Sequence, residues 1–204
     1  MRTAASRVSL RSRERKLQLF LDLLQPGPET TVLDVGVTDA PFGAGSTDNF
    51  FEALYPWPDR ITAVGHTELD RFAAAFPRVQ VVRADGRELP FADGEFELGF
   101  SNAVVEHVEG GEDGRRRFVG ELCRVAGRVF VTTPNRWFPL DPHTLLPFAH
   151  WLPAGVLRER LFRARGFDDV LEPLGPAELA ALFPYPVRIL NRGLTLVAVG
   201  PDGG

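Results

Sequence analysis

Apolar and polar positions along the chain follow two periods that take turns. Leu17, Phe20, Leu21 and Leu24 fall at i, i+3, i+4 and i+7, which predicts a helix over Ser12 to Leu24 with one face to bury. Pro26-Gly27-Pro28 stops it. Thr31 to Val35 is apolar almost throughout, as a strand covered on both faces should be. A short helix over Asp48 to Tyr55 follows, ended by Pro56 and Pro58. The same rhythm then predicts strands over Ile61 to Val64, Val79 to Arg83, Phe96 to Ser101 and Arg128 to Thr132. Between them it predicts helices over Glu68 to Phe76 and Asp113 to Ala126. Strand and helix in alternation mean a parallel sheet with helices on both faces. After Pro134 the period is lost; helices are predicted over Ala154 to Arg165 and Pro176 to Leu182. Two closing strands, Val187 to Asn191 and Leu194 to Val199, flank the tight turn Arg192-Gly193. The expected fold class is therefore α/β and Rossmann-like: a mostly parallel seven-stranded sheet with a C-terminal antiparallel hairpin.

Length and composition narrow this little. At 204 residues, 44% apolar and 25% charged, the chain is expected to form a single domain over 1–204. Within it, 1–30 hold the N-terminal helix and 134–165 an insertion. A net charge of −4 argues against general nucleic-acid binding. The lone cysteine, Cys123, excludes an internal disulfide and fits a reducing cytoplasm. The basic N-terminal stretch is not read as a signal peptide, because its apolar run is short and is broken by Asp22. No stretch is long enough to span a membrane. His66, His107, His143 and His150 lack a compact ligand spacing, so no metal site is expected.

The candidate chemistry starts at Thr31 to Gly45, TVLDVGVTDAPFGAG: a strand ending in Asp34-Val35, a small-residue turn, then a helix. This is how an α/β sheet offers a loop and a helix N-terminus to a nucleotide-like ligand. Taken alone, a tight strand-to-helix turn without a ligand explains it as well. TVLDVGVTDA, followed by VVRADGRELPFADGEFELGFSNAVVEHV and RVFVTTPNR, resembles the class I S-adenosylmethionine-dependent methyltransferases that act on small molecules. The likeness runs over Val32 to Arg136, and its most specific part is the middle block.

The resemblance implies roles residue by residue. Asp34 would order the methionine end of the cofactor, Gly36 would let the backbone approach it, and Thr38 would stand in the same turn. Asp85 would accept a hydrogen bond from the adenine amino group, with Gly86 beside it. Ser101 and Asn102 would line the methionine side, and Glu106 and His107 would open the next helix. Two positions depart from the family pattern: Thr38 and Ala40 stand where further glycines are usual, and Gly65 stands where an acid usually grips the ribose. Glu68 is the favoured replacement for that acid, ahead of Asp70. His107 is the candidate base for an acceptor hydroxyl, since histidine titrates near working pH. A helix-start packing role or a plain substrate contact explains it too, and alignment alone can drive methyl transfer. Arg136, Trp137, His143 and Trp151 are candidate acceptor-binding residues in a lid over 134–165. The same segment also fits a satellite core, or a patch touching a membrane surface.

The reading that follows is a cytoplasmic, bacterial-type methyltransferase using S-adenosylmethionine and releasing S-adenosylhomocysteine. Its acceptor would be a small molecule, methylated on oxygen. No nucleic-acid partner and no stable membrane insertion are expected, peripheral membrane contact stays open, and the chain would be a monomer or homodimer. The alternative is a methyltransferase-like scaffold without turnover. A nicotinamide oxidoreductase ranks last, for want of a compact G-x-G-x-x-G turn.

Overall fold

The computed structural model describes residues 4–40, 42–43, 48–139, 148, 151, 160, 163 and 173–201. Its strands are β1 (Val32–Val35), β2 (Ile61–Gly65), β3 (Gln80–Arg83), β4 (Phe96–Asn102), β5 (Ala126–Pro134), β6 (Arg188–Asn191) and β7 (Thr195–Gly200). The helices are α1 (Ala4–Leu24), α2 (Phe50–Leu54), α3 (Asp70–Ala75), α4 (Gly111–Val125) and α5 (Pro176–Ala180). The strands form one seven-stranded sheet in the order β3-β2-β1-β4-β5-β7-β6. β1 pairs in parallel with β2 and β4, and β2 in parallel with β3. β6 and β7 close the sheet as an antiparallel hairpin. The expected architecture is thus present. The helix expected over 154–165 lies outside the described residues, and no described helix is long and apolar enough to cross a membrane.

Boundaries moved where packing overrode local pattern. α1 begins at Ala4 rather than Ser12, ahead of the apolar stripe from Leu17 to Leu24 that marked the helix. β5 begins at Ala126, directly at the end of α4, and buries that residue, which had read as the last of the helix. Glu106 and His107 open no long helix. They sit in a single 3-10 turn, Val105–His107, and α4 starts at Gly111 after Gly110 and Gly111 adopt positive φ.

Contacts divide the chain into two compact units: Met1–Ser101 with Glu121–Phe130, and Asn102–Gly120 with Val131–Gly204. The first is built on aromatic side chains. Phe20 of α1, the centre of the stripe that sequence picked out, lies 5.1 Å from Phe51, 5.6 Å from Phe100 and 5.5 Å from Phe130, ring to ring. All are almost completely buried, and edge-on geometry adds to their burial. Arg124 of α4 braces this unit from below the loop at 89–94, donating to the carbonyls of Phe91 (2.8 Å) and Leu89 (3.1 Å). In the second unit Asn135 holds the hairpin turn: its side chain donates to the Gly193 carbonyl at 2.8 Å, and its N–H donates to that of Leu194 at 2.9 Å.

Candidate active site

At the carboxyl ends of β1, β2 and β3 the first unit gathers Asp34, Gly36, Thr38, Glu68, Asp85 and Gly86. Gly36 has φ of 112°, a backbone region that side chains disfavour. This bend folds the turn across the end of β2, where the N–H groups of Gly36 and Val37 both donate to the Val64 carbonyl, at 2.8 and 3.1 Å. The Val37 carbonyl therefore occupies the space beside Gly65. A Cβ on Gly65 would lie 2.6 Å from that oxygen and 3.1 Å from the Leu69 methyls. Gly65 is thus not a simple loss of a carboxylate, because no side chain fits there.

Two side chains that sequence reading passed over pin this turn. Asn49, itself at φ 52°, donates to the carbonyls of Thr38 (2.8 Å) and Ala40 (2.6 Å) and accepts from the Thr38 N–H (3.2 Å). Asp39 accepts from the N–H groups of Arg71 (2.7 Å) and Phe72 (2.9 Å) and so caps α3 from a distant loop. The sequence hint was there, since Asn and Asp are residues that bond backbone in turns, but the partner segments could not be read.

Glu68 forms an ion pair with Arg83, and Arg83 is the register partner of Gly65 across β2 and β3. The Glu68 carboxylate is thereby drawn over the ends of these two strands. The pair is exposed (60% and 74%), and such pairs reorganise at little cost. Asp85 opens the turn after β3, with the Glu88 N–H donating to its carbonyl at 3.0 Å and Gly86 inside the turn. Its exposed carboxylate accepts from the Arg87 side chain (2.7 Å) and backbone N–H (2.9 Å). These bonds, the side-chain bond foremost, lower its pKa and keep it ionised at neutral pH.

Asp34 is buried at the end of β1, and beside it lies Glu52 of α2, also buried. Burial, then the Glu52 charge, raises the Asp34 pKa well above the usual carboxylate range; burial raises that of Glu52 as well. Glu52 was not anticipated as a site residue. The signal was a lone acid inside the apolar run Phe50-Phe51-Glu52-Ala53-Leu54. Ser101 has no exposed surface, and its hydroxyl donates to the Val35 carbonyl at 2.9 Å, so it braces β4 on β1 instead of lining an open surface.

The second unit holds the remaining candidates. Asn102 ends β4 and accepts from the Thr132 hydroxyl at 2.8 Å. His107 is exposed on its 3-10 turn, and the neighbouring Glu106 is buried, accepting from the Thr133 hydroxyl at 3.0 Å. Arg136 bonds the Pro173 carbonyl (2.8 Å) and Glu178 (2.5 Å), tying β5 to the segment before α5. Trp137 is 64% exposed and Trp151 45%, the latter donating its indole N–H to the Arg136 carbonyl at 2.6 Å. The Trp151 ring lies 5.0 Å from that of Phe148. His143 lies outside the described residues.

Residues 42–128 match the family described as a methyltransferase domain. A probable S-adenosylmethionine-dependent methyltransferase of Mycobacterium tuberculosis is 36% identical over 78 residues, covering 37% of this chain and 25% of the relative. An uncharacterized methyltransferase of Mycobacterium sp. (strain KMS) is 31% identical over 156 residues, 72% of this chain and 58% of that protein. The chain thus spans between a quarter and 58% of the length of these curated relatives. Among solved structures, the fold is similar to that of 1,6-didemethyltoxoflavin-N1-methyltransferase of Burkholderia thailandensis, crystallised with 1,6-didemethyltoxoflavin and S-adenosylhomocysteine. The TM-score is 0.56 at 17% identity, covering 92% of this chain and 77% of that one. By domain match, relatives and fold together, the chain resembles the class I methyltransferases that use S-adenosylmethionine, and it has their fold.

Proposed function

We propose that this chain methylates a small-molecule acceptor, at oxygen, with S-adenosylmethionine as the methyl donor. The observation that supports it most is the pair of exposed acidic groups, Asp85 and Glu68, set at the carboxyl ends of adjacent strands, where open α/β sheets bind ligands. The fit to the cofactor is made by substitution: the space at Gly65 is filled by the Val37 carbonyl, and Glu68 brings a carboxylate to the same strand ends from the next loop. When bound, the cofactor supplies an electrophilic methyl group. Asp85 accepts the adenine amino hydrogen bond once Arg87 yields, Glu68 takes the ribose hydroxyls, and Gly36 and Thr38 present backbone beside Asp34. In unit two the imidazole of His107 takes the proton that leaves an acceptor hydroxyl. Trp137 and Trp151, with Phe148, offer exposed apolar surface for the acceptor, with Arg136 and His143 as its polar contacts. Catalysis is then mainly alignment, with the base contributing about 10²–10⁴-fold.

The scaffold reading keeps one observation in its favour, the closure of the first turn over β2. Incubation with methyl-labelled S-adenosylmethionine and a panel of phenols, carboxylic acids, amines and thiols separates the two. The enzyme reading expects label on an oxygen acceptor, and a 10²-fold or greater loss in His107→Ala. Label on nitrogen or sulfur acceptors alone refutes the oxygen assignment, and no label on any of them supports the scaffold.

A further inference from the structure

We propose that Asn49 is a positioning residue of the cofactor site: its carboxamide holds the turn 36–40 in its binding shape before the cofactor arrives. The proposal rests on the cofactor reading above. Asn49 stands at the N-cap of α2, where an Asn ordinarily accepts from the N–H groups of its own helix. Here the side chain makes no such bond. It reaches back nine and eleven residues instead, to Ala40 and Thr38. The amide oxygen accepts from the Thr38 N–H at 3.2 Å, and the amide nitrogen donates to the carbonyls of Thr38 (2.8 Å) and Ala40 (2.6 Å). Two carbonyls on one atom and an N–H on the other fix which way the amide faces. Thr38 is gripped by both of its backbone groups, as a residue in an antiparallel ladder is gripped by its partner. α2 forgoes a stabilising cap for this contact, so the side chain serves the turn and not its own helix.

The grip has a firm base. Phe50 and Phe51, next in sequence, are almost fully buried, and Phe51 stacks on Phe100 of β4 at 4.1 Å between ring centres. Asn49 itself has φ 52° and ψ 36°, a left-handed conformation that Asn adopts more readily than most residues. Two demands therefore meet at one position: a left-handed backbone, and a short planar group with an acceptor on one side and two hydrogens on the other. Asn meets both. Asp keeps the backbone and the acceptor but turns an oxygen toward two carbonyls, and Gly keeps the backbone alone. The turn is tied at its other edges by Gly36 and Val37 to β2, and by Asp39 to the start of α3. Asn49 adds the tie to α2, and it is the one that reaches Thr38 and Ala40. Without it the turn spends part of its time in other shapes, and the apparent affinity for a ligand falls by the fraction left in the binding shape.

Calorimetric titration of S-adenosylhomocysteine into wild type, Asn49→Gly and Asn49→Asp tests this, at a temperature where circular dichroism shows each protein fully folded. Leu122→Val is the control: Leu122 is fully buried on α4, so its truncation lowers stability without touching the turn. Both Asn49 variants should bind about tenfold or more weakly, which corresponds to a turn in its binding shape about a tenth of the time or less. Leu122→Val should bind as wild type does. Amide exchange at Thr38 should be faster in both free Asn49 variants and return to the wild-type rate when ligand saturates them. Asn49→Asp is isosteric, so it tests the idea even where Asn49→Gly does not fold. Affinity equal to that of wild type in either folded variant overturns the proposal and leaves the cofactor reading intact. Equal weakening in Leu122→Val does the same, because it would make the effect one of general stability. Failure of wild type to bind overturns both.

Discussion

Gly65→Ala is the sharpest test of how the first turn is built. The new Cβ would sit 2.6 Å from the Val37 carbonyl oxygen and 3.1 Å from the Leu69 methyls, and the first of these is backbone that no rotamer change can move. Relief requires the turn to lift from β2. That endangers the bonds from Gly36 and Val37 to the Val64 carbonyl, each contributing about 1 kcal/mol. Overpacking adds about 1–3 kcal/mol before relaxation. A net loss of about 2–4 kcal/mol is expected, or about 4–15 °C in Tm for a chain of this size. Urea unfolding followed by circular dichroism measures it. A loss below about 0.5 kcal/mol would refute the reasoning. So would a Gly65→Asp protein that keeps wild-type stability and binds S-adenosylhomocysteine more tightly, because it would mean that the usual ribose acid fits after all.

Phe20→Ala removes the ring that touches Phe51, Phe100 and Phe130, and should cost about 3–5 kcal/mol in urea unfolding; a loss below 1 kcal/mol would show the aromatic cluster to be loosely packed. Asp39→Ala strips the distant cap from α3 and should cost about 1 kcal/mol, with faster amide exchange at Arg71 and Phe72; unchanged exchange there contradicts the capping role. Asp34 and Glu52 hold their protons more tightly folded than unfolded, so their contribution is fully present below the unfolded value of about 4 and is lost as pH rises through the folded values. Glu52→Gln should therefore gain on wild type as pH climbs from 5 to 8, and parallel stability curves for the two proteins would exclude the coupling.

The sheet was legible because strands buried on both faces leave continuous apolar runs, such as Val32 to Val35 and Ile61 to Val64, that need no partner to be recognised. Phe20 was legible for the same reason, as the middle of a helical stripe. The site was legible only where chemistry is local. Asp85 and Gly86 follow a strand and form a turn by themselves, so their place could be foreseen. The closure of the first turn could not, since it depends on the Val64 carbonyl and on Asn49 and Asp39 bonding to segments distant in sequence. Glu52 was hidden by its own helix: an acid among apolar residues normally reads as the solvent side, yet it is buried. Gly65 read as a missing acid, whereas the structure gives it a steric cause.

The central claim is that the carboxyl ends of β1 to β3 hold S-adenosylmethionine, and calorimetric titration of S-adenosylhomocysteine into wild type and Asp85→Ala tests it most directly. The account predicts saturable one-to-one binding in wild type, weakened about tenfold or more in Asp85→Ala by loss of a charged hydrogen-bond acceptor. Absence of binding by wild type at millimolar ligand would contradict it and leave the closed first turn as the mark of a scaffold.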